Sequence, residues 1–475
     1  MSHSEAAKTP LRFQEPTPRH FRRCGIQGRA LNALAVSGLA CLLMIGMGAC
    51  VHPNDPLKQW NPKEGYRDTM KPSATRSNKN KVMLAFSGGG ARAAAFAYGV
   101  LEELADTQVT IEGTSRRLSD EVDTVNGISG GSFTAAYFAL YGDRIFQDFE
   151  PRFLKHDVEG DIILRLLAPW NWVRLLSPNY SRSDLAIDYY NEQIFDGATF
   201  ADLEAGDGPM LRINASDLSS GNPFQFSQDQ FDFICSDITT FPIARAVGAS
   251  AAVPLIFPPI TLRNYAGTCG FERPPWLEDS LKEARLVSTR RWRFARILDS
   301  YLDQDNRRYI HLIDGGISDN LGIRNPLRLA RDLRKWKDVR EAKQNPDRVI
   351  GIAVNAQTES ELTWRFIDLD PSIGALMGAM TNAQIDVISA ESMDYLRTLF
   401  ALWQEQAIAA NLPTRFYLIE VSFQQPEDET ERAYLNGLPT SLSLPSEDVD
   451  KLRQAGRRLL RTHPEFQRLL QDFSR

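Results

Sequence analysis

The chain has 475 residues, of which 43% are hydrophobic and 24% are charged, and its formal net charge is -6 at pH 7. These proportions are typical of a soluble globular protein that can bury a substantial core. Because the balance is acidic and no basic segment dominates, the sequence argues against a general nucleic-acid binder, and no nucleic-acid partner is expected.

The N-terminal segment has the plan of a secretory signal. Residues 19–29 carry four arginines and no acidic residue, and an uncharged apolar run follows from Ala30 to Cys50. A basic region, an apolar region and small residues before a cleavage point are typical of exported proteins. The Met-Gly-Ala-Cys ending resembles a bacterial lipobox, so residues 1–49 are predicted to be a signal peptide and Cys50 the lipidated first residue of the mature chain. The alternative is an uncleaved signal anchor, since about 18 apolar residues approach the length that spans a bilayer.

Both alternatives place the folded part outside the cytoplasm and next to a membrane. The residue after Cys50 is Val51 and not an aspartate. By analogy with Gram-negative lipoproteins, this favours the outer membrane of the bacterial envelope over the inner one. Cysteine usage agrees with export, because only Cys235 and Cys269 remain after Cys50, an even pair in an oxidising compartment. The two can form a disulfide, or they can be two separately buried thiols.

Residues 50–80 are predicted to be a tether, because they are rich in Pro, Asn, Lys and Ser and lack apolar periodicity. After residue 81, apolar strand-like runs alternate with helix-like runs such as residues 325–339, and an amphipathic helix is predicted over 446–473. This alternation predicts an α/β fold with a mainly parallel sheet covered by helices on both faces. No linker follows residue 81, so one large domain with C-terminal helical additions is expected. The predicted strands include residues 210–216, 309–316, 348–356 and 415–423.

A glycine triplet follows the first predicted strand of this domain. The sequence "SGGGAR", residues 87–92, leaves a strand and enters a helix, and its glycines expose backbone N–H groups that nothing shields. The spacings of the common phosphate-binding loops are absent. The other use of such N–H groups is to stabilise the oxyanion of an acyl-transfer transition state. Arg92 is predicted either to fix this loop or to attract a negatively charged substrate.

A second strand–turn–helix segment contains one serine between small residues, Gly127-Ile128-Ser129-Gly130-Gly131. Gly-x-Ser-x-Gly at a sharp strand-to-helix turn is typical of a nucleophilic serine, because the flanking glycines let neighbouring backbone come close. The helix N-terminus also favours an anion beside the serine. The alternative is a purely structural turn.

The base for such a serine is more plausibly an aspartate than a histidine. None of the six histidines lies in a pattern that indicates a Ser-His-Asp triad. Asp314 ends the apolar run "YIHLI" and precedes Gly315 and Gly316, so its carboxylate is expected at the C-terminal edge of the sheet. A partly desolvated aspartate has a raised pKa and can accept the serine proton directly. The alternative is a simple Asp-Gly turn after a strand.

These three elements, in this order, resemble the patatin-like phospholipase family over roughly residues 82–326. The resemblance implies a three-layer α/β/α fold, a catalytic dyad of Ser129 and Asp314, and no metal or organic cofactor. It also implies an oxyanion hole and motif glycines: Gly88, Gly89 and Gly90 for the hole, and Gly127, Gly131, Gly315 and Gly316 for the motifs. One departure is Ala93, where family members commonly have glycine.

The same resemblance predicts a catalytic domain over residues 81–326, with residues 327–475 as a C-terminal continuation of the α/β domain. It implies a serine acyl-ester hydrolase of the phospholipase A or lysophospholipase type, whose substrate is a membrane phospholipid or another acyl ester. Two alternatives stay open: an esterase or acyltransferase of other specificity, and an envelope lipoprotein that binds lipid without the chemistry. No oligomeric state is predicted.

Two segments mix aliphatic, aromatic and basic residues in a way that suits a lipid interface. Residues 161–178 include Trp170 and Trp172, and residues 288–298 interleave arginines with a tryptophan and Phe294. The alternative for each is a helix packed on the core with its charges in solvent. We expect one of them to form part of an entrance for an acyl chain.

Overall fold

The computed structural model describes residues 54–67, 75–77, 79–287, 289–324, 346–358 and 372–474. The predicted signal peptide, the predicted lipidation site Cys50 and the helix-like stretch at 325–339 lie outside these residues. Within the described part of the chain, no helix is both long enough and apolar enough to cross a bilayer.

Twelve strands are present among the described residues. They are β1 (Asp55–Pro56), β2 (Asn80–Phe86), β3 (Gln108–Ile111), β4 (Thr114–Arg117), β5 (Val122–Gly127), β6 (Met210–Asp217), β7 (Asn222–Gln225), β8 (Ser236–Asp237), β9 (Ile260–Arg263), β10 (Tyr309–Ile313), β11 (Arg348–Asn355) and β12 (Arg415–Ser422).

The α-helices in the same ranges are α1 (Gly90–Asp106), α2 (Gly130–Tyr141), α3 (Ile145–Phe149), α4 (Val158–Leu167), α5 (Pro169–Leu175), α6 (Arg182–Gln193), α7 (Phe200–Ala205), α8 (Gln228–Phe231), α9 (Ile243–Ser250), α10 (Pro275–Val287), α11 (Thr289–Tyr301), α12 (Gly316–Asp319), α13 (Ile373–Ala409), α14 (Glu429–Gly437), α15 (Ser446–Thr462) and α16 (Pro464–Phe473). Short 3-10 helices lie at Leu118–Glu121, Gly142–Arg144 and Asp232–Ile234, and a π-helical turn lies at Glu150–Leu154.

An eight-stranded mixed sheet lies at the centre of the fold. Its spatial order is β12-β11-β2-β5-β6-β10-β9, and β7 pairs with the second half of β6. Strands β12, β11, β2, β5 and β6 are parallel, whereas β7, β10 and β9 are each antiparallel to the strand they pair with. Every residue of β5 and β6 is buried, as expected for strands covered by helices on both faces. The predicted three-layer α/β/α fold with a mainly parallel sheet is therefore confirmed.

The strands after residue 327 belong to the same sheet. β11 pairs with β2 along its length, and β12 pairs with β11. The amphipathic stretch at 446–473 is two helices rather than the single predicted one, because the chain turns out of α15 at His463. Pro464 has no N–H to continue the helix and disfavours a helical conformation at the residue before it.

Residues 54–67 pack on the domain, so the prediction of a tether over 50–80 is wrong for this part. Strand β1 pairs antiparallel with β8. The buried Tyr66 hydroxyl bonds to both the N–H and the carbonyl of Leu211, at 2.7 and 3.2 Å. Arg67 forms an ion pair with Asp232 at 2.7 Å. These contacts come from single aromatic and charged side chains, which leave no periodic pattern in the sequence.

A disulfide joins Cys235 and Cys269, whose Cα atoms lie 5.5 Å apart. Both cysteines are buried, and the bond closes a segment of 34 residues. Of the two possibilities that the sequence left open, the structure has the paired one. The Leu57 N–H donates to the carbonyl of Cys235 and the Trp60 N–H to that of Cys269, so the disulfide lies where the N-terminal segment packs.

Candidate active site

Ser129 and Asp314 reach the same edge of the sheet by different routes. β5 ends at Gly127, while the parallel β6 continues beyond it to Asp217. β10 runs back along this extension, with Ile313 opposite Ser216. The sequence analysis placed Asp314 at the C-terminal edge of a mainly parallel sheet and did not give the direction of its strand. An antiparallel strand carries it to the end of β5, because β6 is long enough for β10 to return beside it.

The backbone at Ser129 is held in an unusual conformation. Its φ of 47° and ψ of -123° lie outside the regions that residues with a Cβ normally occupy. Its N–H donates to Ser250 Oγ at 2.9 Å, and its carbonyl accepts from Ser132 Oγ at 2.5 Å. Strain of this kind persists only where the surroundings enforce it, and it is the geometry of a nucleophilic serine at a strand-to-helix turn.

The Asp314 carboxyl is buried beside this serine. Burial raises the pKa of Asp314 to about 6, and the hydrogen bonds that the carboxylate accepts from the Gly316 N–H and from the Ser129 hydroxyl oppose that rise. The Gly316 N–H lies 2.8 Å from Asp314 Oδ1. An ionised carboxylate with a pKa of about 6, in the same cavity as the serine, is well matched to a general base.

The glycine-rich loop supplies backbone N–H groups beside the serine, although not all of those predicted. The Gly88 N–H donates to Asn320 Oδ1 at 3.0 Å and is therefore occupied. Within the described part of the chain, the N–H groups of Gly89, Gly90 and Gly130 make no hydrogen bond. The geometry thus leaves these three as the donors that can face an oxyanion.

Gly130 has a role that the sequence analysis did not assign. A Cβ atom at Gly130 would overlap the Gly90 carbonyl, and a Cβ atom at Gly90 would overlap the carbonyl of Ser441. The glycine-rich loop, the serine turn and the segment before α15 are therefore in direct backbone contact. The sequence carried one signal of this contact, because Gly130 follows the serine although the Gly-x-Ser-x-Gly pattern does not demand glycine there.

Arg92 is buried and fixes the loop. Its Nε donates to the carbonyl of Ala356 at 3.2 Å, and Nη1 donates to the carbonyl of Leu438. Burial lowers the pKa of Arg92 to about 10. Of its two predicted roles, these contacts favour the fixing of the loop, because they tie the start of α1 to segments that follow β11 and α14.

Asn320 is a second residue that the sequence analysis did not assign. Its Oδ1 holds the Gly88 N–H, and its Nδ2 donates to Gln357 Oε1 at 3.0 Å. Gln357 Nε2 in turn donates to Asp386 Oδ1 at 2.5 Å. This chain of hydrogen bonds links the glycine-rich loop to α13 through Asn320 and Gln357.

Two cavities of about 330 Å³ each meet at Ser129. One is the more polar of the two and also contains Asp314, and most of its other polar lining residues come from loops and from α13: Gly88, Arg92, Asn320, Gln357, Thr358, Thr381, Asn382 and Asn436. The other is largely apolar and is lined mainly by α4, α6 and the segment before β9: Ile162, Ile163, Leu166, Leu185, Ile256, Phe257 and Leu442. Such an arrangement can hold a long apolar group on one side of the serine and a polar group on the other.

None of the three histidines among the described residues lines either cavity. His156 lies 2.8 Å from Asp161, His311 lies 2.9 Å from Thr261 Oγ1, and His463 accepts from the N–H of Glu465. Each imidazole therefore has a local partner away from Ser129.

Residues 84–327, just over half of the chain, match the family model described as Patatin-like phospholipase. The chain belongs to the patatin-like phospholipase family. The family that the motifs resembled is thereby confirmed. The match spans the glycine-rich loop, the serine turn and the aspartate, so all three elements lie inside the patatin-like domain.

Among solved structures, the chain is similar to human GIVD cytosolic phospholipase A2, with 14% sequence identity, a TM-score of 0.43 and coverage of 84% of this chain and 62% of that one. It is also similar to the type III effector protein ExoU, with 17% identity, a TM-score of 0.20 and coverage of 57% and 64%. The chain thus spans about three-fifths of the length of the human protein. No curated protein matches it in sequence.

Proposed function

We propose that the protein is a serine acyl hydrolase of the phospholipase A or lysophospholipase type. Ser129 is the nucleophile and Asp314 is the base. The observation that carries this proposal is that Ser129 and the buried Asp314 carboxyl, whose pKa is raised to about 6, line the same cavity. The strained serine backbone and the unoccupied N–H groups beside it support the same assignment.

In the first half of the reaction, Ser129 Oγ attacks the carbonyl carbon of the ester while its proton passes to Asp314. The oxygen of the tetrahedral intermediate gains negative charge and accepts hydrogen bonds from the N–H groups of Gly89, Gly90 and Gly130. The intermediate then collapses, the C–O bond to the alcohol breaks, and Asp314 returns the proton to the departing oxygen.

In the second half, a water molecule loses a proton to Asp314 and attacks the acyl group on Ser129. Collapse of this intermediate releases the fatty acid and regenerates the serine hydroxyl with the proton from Asp314. A carboxyl with a pKa close to neutral suits both steps, because it binds and releases a proton at little cost near pH 7. We assign the apolar cavity to the acyl chain and the polar cavity to the alcohol part of the substrate.

A fluorophosphonate probe tests the nucleophile, because it reacts covalently with activated serines. We expect labelling of the protein, loss of labelling in Ser129→Ala and retention in Ser219→Ala, which changes an exposed serine. Release of fatty acid from phosphatidylcholine and lysophosphatidylcholine, measured beside triglyceride and a soluble ester, then tests the substrate class. A folded protein that binds lipid but takes no label would support lipid binding without catalysis. Faster turnover of soluble esters would support an esterase.

We also propose that the protein is a lipoprotein of the bacterial envelope, anchored through Cys50. The signal-like N-terminus supports this location, and only residues 51–53 separate Cys50 from the buried Asn54. A lipid on Cys50 would therefore keep the domain close to its substrate. Metabolic labelling with a fatty acid tests the anchor, and we expect Cys50→Ser to abolish incorporation. Labelling that persists in this variant would overturn the assignment.

A further inference from the structure

Helices α4 and α5 carry a dense group of exposed apolar side chains, which we call the α4–α5 surface. Seven large apolar residues between positions 163 and 176 are 48% to 77% exposed: Ile163, Leu164, Leu167, Trp170, Trp172, Val173 and Leu176. A protein that is a free monomer in water rarely exposes so many apolar side chains in one short stretch.

This surface does not belong to the core of the domain. The only buried residue of α4 is Val158, and the only buried residue of α5 is Asn171. The other segment with a similar mixture, residues 288–298, behaves differently, because Phe294 and Leu298 are both buried. The lipid interface that the sequence predicts therefore concerns 161–178, whereas Phe294 and Leu298 pack on the core.

The α4–α5 surface is continuous with the apolar cavity. Ile163 is exposed on the surface and also lines the cavity that ends at Ser129, together with Leu166 of the same helix. Across the cavity, Ile256 lines it while remaining 59% exposed, and its neighbour Leu255 is held at a φ of 74° with 62% exposure. An apolar path thus runs from the outside of the protein to the serine hydroxyl.

The charges within this surface are already paired. Arg165 bonds to Glu192 at 2.8 Å, and Arg174 bonds to Asp188 at 2.6 Å. Both guanidinium groups also lie over tyrosine rings, at 5.0 and 4.1 Å from the ring centroids. Recognition by this surface therefore depends on apolar contact and not on attraction to an anionic partner.

We propose that the α4–α5 surface docks on a phospholipid bilayer and admits an acyl chain from the bilayer directly into the apolar cavity. Exposed tryptophans beside aliphatic side chains are typical of the depth of lipid headgroups. A protein partner or a second copy would cover the end of the apolar path, whereas a bilayer supplies the chain that enters it. The proposal rests on the proposed function, because it assigns the cavity to an acyl chain.

The test uses the full chain with Ser129→Ala, which prevents turnover, and with Cys50→Ser, which prevents acylation. Flotation with phosphatidylcholine vesicles is measured at low and high salt. We expect Trp170→Ala/Val173→Ala/Leu176→Ala to weaken vesicle binding by about 100-fold, with little change on adding salt. Trp172 is left intact, because its Nε1 donates to the carbonyl of Leu166, a cavity residue, at 3.1 Å. Ile408→Ala is the control, since Ile408 is 66% exposed near the C-terminal end of α13.

A second measurement separates this surface from any binding by the N-terminal segment. Brominated phosphatidylcholine quenches inserted tryptophans, and we expect Trp170→Phe to remove a quenched component. Vesicle binding and quenching that are both unchanged by the substitutions would overturn the proposal. A dimer that the triple variant converts to a monomer would also overturn it, in favour of a second copy.

Activity distinguishes this proposal from the proposed function. With Ser129 and Cys50 restored, the triple variant should hydrolyse a soluble short-chain ester at the wild-type rate and take up the fluorophosphonate normally. It should lose vesicle hydrolysis roughly in proportion to binding. A wild-type protein that hydrolyses neither substrate would refute the proposed function, while the flotation result would still decide whether the surface binds a bilayer.

Discussion

The buried carboxyl of Asp314 should lower the free energy of unfolding as the pH rises and the carboxyl ionises. Because burial raises its pKa from 3.8 to about 6, ionising Asp314 costs about 3 kcal/mol more in the folded protein than in the unfolded chain. The folded protein therefore binds this proton more tightly. The cost is absent well below pH 3.8, grows between pH 3.8 and 6, and is complete at about pH 7.

The substitution Asp314→Asn removes the charge but keeps an oxygen that can accept from the Gly316 N–H. We expect it to raise the free energy of unfolding by about 3 kcal/mol at pH 8 and by about 1.5 kcal/mol at pH 5. The same variant should lose about 10³-fold or more in the rate of ester hydrolysis, since a neutral amide cannot accept the serine proton. Urea unfolding at the two pH values measures the first effect, and fatty-acid release measures the second.

The difference between the two pH values is the decisive quantity, because any change in packing caused by the amide contributes equally at both. Ser129→Ala is the comparison variant: it removes the nucleophile and keeps the carboxyl, so its stability should still fall between pH 5 and pH 8. The fall should be at least as large as in the wild type, because the hydrogen bond from Ser129 opposes the rise of the Asp314 pKa. An Asp314→Asn variant whose effect on stability is the same at pH 5 and pH 8 would refute the assignment of a raised pKa. A variant that keeps its activity would refute the role as base.

Other expectations follow from the same geometry. Gly130→Ala places a methyl group against the backbone of the glycine-rich loop and should lower kcat by about 100-fold with an unchanged circular dichroism spectrum; full activity would contradict the tight contact. Asn320→Ala leaves the first loop glycine without its acceptor, so we expect kcat to fall about tenfold with KM nearly constant, and a change in KM alone would point to substrate binding instead. Wild-type kcat/KM should fall about tenfold per pH unit below the Asp314 pKa of about 6, and a flat profile between pH 4.5 and 6 would exclude a base of that pKa. Replacing Cys235 and Cys269 by serine opens a loop of 34 residues and should lower the free energy of unfolding by about 3 to 4 kcal/mol in urea titrations; unchanged stability would mean that the bond is absent in the folded protein.

The sequence was most informative where a local backbone requirement restricts the residue type. Only small residues tolerate the close approaches around Ser129, so the glycines flanking it were visible in the sequence. The run "YIHLI" before Asp314 showed in the same way where a strand ends. These signals are local, and they predicted the two groups that meet in the folded protein.

Contacts between distant segments left little trace in the sequence. Asn320 holds Gly88 across 232 residues, and an asparagine in a loop has many other possible uses. The direction of β10 was also hidden, because a short buried strand has the same apolar composition whether it pairs parallel or antiparallel. The packing of residues 54–67 depends on contacts of Tyr66 and Arg67 with distant residues. No periodic pattern in the sequence predicts these contacts.

The sequence by itself determined the α/β class and the family, and it predicted the serine and the aspartate, because each depends on short stretches with strict steric demands. Only the tertiary structure decided which helix meets solvent. Residues 161–178 and 288–298 have similar compositions, yet Trp170 is 75% exposed and Phe294 is 5% exposed. The physical reason is that an apolar helix face is stable only when it is removed from water. The sequence shows that such a face exists, and only the packing of the whole chain determines whether other parts of the protein cover it.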